Sequence, residues 1–200
     1  PTMARYFEQG NILELRATFG RALRPLLFLT IPSAVILFFF RTAIIQTIFQ
    51  HGAFDAASTA LVSGPLAMFA IGLVGYAVVE VLARAFYAMH DTRTPVIAGI
   101  AVIVLNITLS AILVGRFGHT ALALSLSATT TIEAIVLFTI LRRRVGVQLG
   151  VSLPWLGQVL AAAFVMGGIS FIVAPWVTAA TDPDLGFRLV QIVFLAYALG

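Results

Sequence analysis

AASTALVSGPLAMFAIGLVGYAVV, residues 56–79, contains no charged side chain. A helix needs about 20 mainly apolar residues, at about 1.5 Å rise each, to cross the hydrocarbon of a bilayer. The stretch is long enough, and the residues behind it predict a helix continuing to Tyr87. The rest of the chain has the same character. Hydrophobic residues make up 60% of it and charged ones 10%, against roughly 25% charged in an average soluble protein. So few charges cannot cover a water-facing surface, and lipid must serve as solvent for most of the exterior. The fold class that follows is all-α, a polytopic transmembrane helical bundle.

Other spans lie on both sides of this one. Residues 25–40 are apolar but stop short at Arg41, so that helix is predicted to continue toward Phe49, with Arg41 snorkelling or facing other helices. Thr94–Gly115 is a third span, and His119–Leu141, interrupted by Glu133, a fourth. Residues 145–181 carry no charge and hold a fifth at Pro154–Ala174, while Arg188–Gly200 opens a sixth. The chain starts at Pro1 without a basic-then-apolar leader and closes inside an apolar run. It is therefore expected to be an internal or C-terminal segment of something longer.

All twelve basic residues are Arg, against eight acids, for a net charge of +4. A basic balance can signal nucleic acid, but these arginines sit at the ends of apolar runs, a placement that fits membrane topology better, and no nucleic-acid partner is expected. Alternating spans put Arg5, Arg16, Arg21, Arg24, Arg84, Arg93 and Arg142–Arg144 on one side. Arg41, Arg116 and Arg188 fall on the other, with Asp55, Asp182 and Asp184. The bias places the first group, including the Arg142–Arg144 loop, in the cytoplasm.

Local chemistry marks the element ends. Asn11 and Glu14 resemble a capping box opening a short helix with Ile12, Leu15, Phe19 and Leu23 on one face. That helix is expected either to lie along the cytoplasmic interface or to be a solvated linker. Thr94-Pro95 reads as a helix start, Thr capping and Pro at the first helical position. Gly115, Phe117 and Gly118 read as a tight turn.

The sequence shows no Gly-rich phosphate loop and no metal-binding His pair. His51, His90 and His119 fall at predicted boundaries on both sides and cannot converge on one ion. Without cysteine, thiolate sites and disulfides are excluded. Neither enzyme activity, cofactor nor metal is expected. Charges within the spans are the candidate cavity residues. Glu80 and Arg84, four apart, share a helix face and can neutralise each other. They read either as a salt bridge that tolerates the membrane or as a cavity wall whose guanidinium attracts an anionic head group. Glu133 lies about 12 Å inside its span and reads as lining a cavity or as a helix contact. Arg24 and Arg41 complete the candidate set.

The stretch from Val81 to Val96, VLARAFYAMHDTRTPV, is similar to the LARAFYA-x-x-DTRTPV segment of the MurJ (MviN) family of lipid II flippases, within the MOP exporter superfamily. Pro1–Arg5, Gln50–Phe54, Leu105-Asn106 and Gly118-His119 resemble further landmarks in the same order, and the resemblance covers essentially the whole chain. It marks Arg84, Phe86, Tyr87, Asp91, Thr92, Arg93, Thr94 and Pro95 as motif residues, and implies a cytoplasmic DTRTP corner. Asp91 would hydrogen-bond the turn, and Arg93 would face head groups or the opposite lobe. The implied fold has fourteen helices in two six-helix lobes plus two extra helices. Residues 1–24 would be the end of a preceding helix and a cytoplasmic linker, 25–144 four spans of the second lobe, and 145–200 the extra pair, which in the family forms a groove for a lipid tail. Some members bind sodium through an Asn, an acid four residues on and a Thr on the next helix. Asn106 matches the first, but Ser110 and Leu126 stand at the others, leaving Asn106 a remnant. The implied activity is flipping lipid-linked peptidoglycan precursor across a bacterial inner membrane by alternating access. The expected partners are that lipid-linked oligosaccharide, membrane lipids and the missing N-terminal lobe, whose arginines, with those of the eighth helix, line the central cavity. The alternatives are another exporter of the superfamily, carrying a polysaccharide precursor or a drug, and a non-transporting scaffold for wall synthesis.

Overall fold

The computed structural model describes residues 6–7, 9–50, 52–146 and 153–180. Among them six helices form: α1 (Ile12–Phe39), α2 (Arg41–Phe49), α3 (Ala56–Ala88), α4 (Arg93–Phe117), α5 (Thr120–Val145) and α6 (Leu153–Ala180). All except α2 are long and apolar enough to cross a membrane, giving five spans. The expected sixth span, with Arg188, Asp182 and Asp184, lies outside the described residues, as do Arg5 and His51 and the landmark at Pro1–Arg5.

Three bonds fix an up-and-down order. Arg16, early in α1, donates to the Val145 carbonyl at the end of α5 over 2.5 Å. Asp91, before α4, pairs with Arg144 at that same end. At the opposite end, His119 Nε2, before α5, bonds the Leu61 carbonyl near the start of α3 over 2.7 Å. α6 begins on the Arg144 side, where Trp155 packs on the core, and reaches Arg41 through Ala174 and Pro175 at the other.

The core joins three helices. Leu15, Phe19, Leu23 and Leu27 of α1 meet Val81, Leu82, Ala85 and Phe86 of α3 and Leu137, Leu141 and Val145 of α5. This corrects the expectation of an interfacial or solvated linker helix. Residues from Ile12 onward belong to one 28-residue helix that runs through Pro25 and Pro32, and the apolar stripe is buried in protein. A four-residue apolar spacing suits a protein groove as well as a lipid interface. Proline's lost hydrogen bond is tolerated inside membrane helices that neighbours support. The predicted continuation through Arg41 is also corrected, because the helix breaks at Phe40 (φ −95°, ψ 11°) and α2 starts afresh.

The expected capping box is half formed. Asn11 Oδ1 accepts from the Glu14 amide at 3.2 Å, but the Asn11 amide donates to the Tyr6 carbonyl. Asp55 caps α3, accepting from the Ser58 amide and hydroxyl at 2.8 and 2.9 Å; these bonds lower its pKa. The turn after α4 centres on Gly118 at φ +55°, so Gly115 and Phe117 remain helical. α3 and α5 approach closely: Ser127 donates to the Met68 carbonyl at 2.7 Å. A Cβ on Gly72 would lie 2.5–2.9 Å from Ser127 atoms.

Candidate functional site

The motif segment forms a corner in which each residue has a distinct task. After α3 ends, His90 takes a left-handed conformation, φ +58°. Its amide then donates to the Tyr87 carbonyl, and the Asp91 amide to that of Phe86. These two bonds satisfy the last carbonyls of α3 in the pattern that usually employs glycine. Asp91 then turns its side chain toward α4, accepting from the Thr94 amide at 3.0 Å and the Thr94 hydroxyl at 2.6 Å. The expected cap is thus corrected. Thr94 is the donor and Asp91 the acceptor; Thr92 stands at the capping position without a side-chain bond. Pro95 is buried inside the first turn rather than at its first position.

Arg144 closes the corner from α5. It pairs with Asp91, donates to the Thr94 hydroxyl at 3.2 Å, and lies 6.0 Å from the centroid of the fully buried Phe86 ring. The Thr94 hydroxyl and amide, and then the Arg144 guanidinium, lower the Asp91 pKa to about 2. Arg16 ties in α1 beside Gly146, whose left-handed φ of +64° ends α5. A guanidinium on that last carbonyl also suits the negative end of the helix dipole. Arg144 and Arg16 were not singled out from sequence. The signal was there, since both belong to the cationic side that also carries the corner. Arg93 and Tyr87 are exposed.

The five candidate cavity residues do not converge. Arg84 and Glu80 form their predicted pair at 2.8 Å, but both side chains are more than half exposed, 71% and 65%. Arg24 is exposed on α1. Glu133 is half-buried in α5, its carboxylate near α4, where a Cβ on Gly99 would lie 3.8 Å from Oε1. Arg41 sits at the opposite end of the bundle, lining a cavity of about 530 Å³ with Phe171 and Pro175.

Between α4 and α5 the Asn106 amide donates to Ser125 Oγ at 3.3 Å and Thr129 Oγ1 at 3.5 Å, and Ser110 shares a 2.5 Å bond with Ser125. Asn106 therefore finds its α5 partners at Ser125 and Thr129, on either side of Leu126. The cluster holds hydroxyls and an amide with no carboxylate. Its geometry serves helix association in lipid, where polar groups bond across an interface.

Residues 1–183 match the profile of the family described as "Lipid II flippase MurJ". A "Lipid II flippase MurJ" of Burkholderia cenocepacia is 34% identical over 175 residues, covering 84% of this chain and 33% of that protein. A "Probable lipid II flippase MurJ" of Rhizobium tropici is 32% identical over 170 residues, covering 84% and 32%. One from Buchnera aphidicola is 28% identical over the whole chain and 39% of its own length. The chain thus spans about a third to two fifths of these relatives. A solved structure, "Lipid II flippase MurJ, inward closed conformation", superposes with a TM-score of 0.67 at 24% identity, covering 94% of this chain and 42% of that one. That likeness speaks to fold.

Proposed function

The chain belongs to the lipid II flippase MurJ family, and from this premise we propose that it is the C-terminal part of a flippase moving lipid-linked peptidoglycan precursor between leaflets of a bacterial inner membrane. The observation that carries this reading is the family match over residues 1–183. The physical problem is to shield a pyrophosphate-linked sugar head from hydrocarbon while its tail stays in lipid. A cationic cavity and rocking of two lobes would solve it. In this reading the described helices are the stiff body of one lobe. Its corner, Asp91–Thr94–Arg144, makes α3, α4 and α5 move together. Arg84, Glu80 and Arg24, exposed on the corner side, would meet head groups or the opposite lobe, which is the partner the segment requires. The corner side would face the cytoplasm.

The test uses the full-length protein in liposomes loaded symmetrically with a fluorescent lipid II analogue, with membrane-impermeant quenching of the outer leaflet. Flipping should let the quenched fraction rise beyond the outer-leaflet half, and depletion in cells should accumulate precursor on the cytoplasmic leaflet. Quenching that stays at half, with translocation of a polyprenyl-linked polysaccharide precursor or a drug, would assign the chain to another exporter of the superfamily. No transport, with displaced wall-synthesis proteins on depletion, would make it a scaffold.

A further inference from the structure

Ser63, Gly64 and Pro65 stand in sequence inside α3, which runs unbroken from Ala56 to Ala88. In an α-helix each carbonyl accepts from the amide four residues on, and Pro65 has no amide to offer the carbonyl of Leu61. In a membrane helix a carbonyl freed by proline needs a neighbour to satisfy it. That neighbour is His119, whose Nε2 lies 2.7 Å from the Leu61 carbonyl oxygen. Facing an acceptor, this nitrogen must carry the hydrogen. The neutral ring is therefore the Nε2–H tautomer, and the imidazolium donates as well.

The surroundings favour the approach. Gly118, at φ +55° and ψ −140°, turns the chain so that His119 stands at the head of α5. Gly64 leaves room for the next residue, Thr120, since a Cβ on Gly64 would lie 3.1 Å from Thr120 Oγ1. Nearer the Asp91–Arg144 corner α3 is held more firmly. Ser127 bonds the Met68 carbonyl, Gly72 packs on Ser127, and Val81, Leu82, Ala85 and Phe86 sit in the buried core. Among the described residues, the hydrogen bond from His119 is the one that ties residues 56–64 to the α5 side. On the other side Thr59 Oγ1 donates to Gln50 Oε1 at 2.9 Å, at the end of α2.

Proline and adjacent small residues are where long helices bend. We propose that Gly64–Pro65 is a hinge in α3 and that His119 is the positioning residue that latches it. With His119 bonded, residues 56–64 stay in line with the rest of the helix. On release they swing together with the end of α2, while the corner at the other end of α3 stays shut. The Gly118-His119 pair, a landmark in the sequence resemblance, thereby has a physical task. The inference concerns how a helix moves and does not depend on what the whole protein carries.

Hydrogen–deuterium exchange of the full-length protein in detergent, read by mass spectrometry, tests it. Peptides covering residues 56–64 and 81–88 are followed in wild type, His119→Ala, Pro65→Ala and the double variant. With Pro65 present, His119→Ala should speed exchange in 56–64 roughly tenfold, about the worth of one hydrogen bond, and leave 81–88 unchanged. Pro65→Ala supplies an amide that can bond Leu61 within the helix. In that background His119→Ala should change exchange by about twofold or less. Nitrogen NMR of the wild type should show the neutral His119 ring as the Nε2–H tautomer. The same effect of His119→Ala in both backgrounds, none included, would overturn the proposal, because the histidine would not then be standing in for the absent amide. Acceleration that reaches 81–88 equally would make His119 a prop for the whole fold and sink the hinge. An Nδ1–H tautomer would remove the bond itself. None of these readouts involves transport, so failure here and failure of the flippase reading are separable.

Discussion

Asp91 is the residue on which three helices depend. It receives the Thr94 amide and hydroxyl and pairs with an arginine 53 positions away. Its pKa is lowered from the model-compound value of 3.8 to about 2. The sign follows directly: a carboxylate with a depressed folded pKa contributes stability that is fully present above about 3.8 and is lost as pH falls through about 2. Protection of the amides in the turn at residues 89–94, taken relative to their intrinsic exchange rate at each pH, should therefore fall as pH is lowered across that window in the wild type, with no such step in Asp91→Asn. Arg144 is half exposed, so water screens the ion pair. A double-mutant cycle of Asp91→Asn with Arg144→Gln should give a coupling of about 0.5–1 kcal/mol. Zero coupling, read from thermal melts of the four proteins, would mean that Thr94 alone holds the carboxylate.

Among the elements, the closest approach is that of α3 to α5. Hydrophobic burial gives little drive for helices to associate in lipid, so shape and interhelical hydrogen bonds must hold them. Gly72 is where shape matters most, because an added Cβ would come within 2.9 Å of the Ser127 backbone. Gly72→Val should push the helices apart, break the Ser127–Met68 bond and cost about 1–3 kcal/mol, seen as a lower melting temperature. Gly115→Ala is the control. It is helical, with nothing within 4 Å of a new Cβ, and should be neutral or stabilising by up to about 1 kcal/mol. Equal melting of the two variants would refute close packing as the cause.

The spans themselves were legible in the sequence, because an apolar run of fixed length is a one-dimensional signal that the bilayer imposes. The stripe Leu15, Phe19, Leu23 was legible as a face but not as to its neighbour, since periodicity does not distinguish lipid from protein. The break at Phe40 carries no local mark, because neither proline nor glycine stands beside it. The Glu80–Arg84 pair could be read because both groups share one helix. Arg144 with Asp91, and Asn106 with Ser125 and Thr129, are pairings between helices whose register no local pattern encodes.

For the whole molecule, the arrangement of the charges has to agree with the arrangement of the helices. The sequence argument places Arg93 and Arg142–Arg144 on one side of the membrane and Arg116 on the other, by counting spans and arginines. The structure groups the helix ends in the same way, through the Asp91–Arg144 contact at one end of the bundle and the His119–Leu61 contact at the other. α4 and α5 are each about 38 Å long at helical rise, more than the roughly 30 Å of hydrocarbon. Each is long enough to span it from end to end. These 200 residues carry no cysteine, so once any cysteine elsewhere in the full-length protein is replaced, single cysteines can report on each end. In the full-length protein in intact cells, Arg116→Cys should react with an impermeant maleimide from outside, and Arg143→Cys only after permeabilisation. Both are exposed at helix ends in this segment, and labelling of each after permeabilisation shows that the site is accessible in the full-length protein. Reaction of both from the same side would contradict the order of helices itself. Reaction in the reversed sense would leave the fold standing and invert its orientation, placing the corner outside and removing the reason to assign its arginines to cytoplasmic head groups.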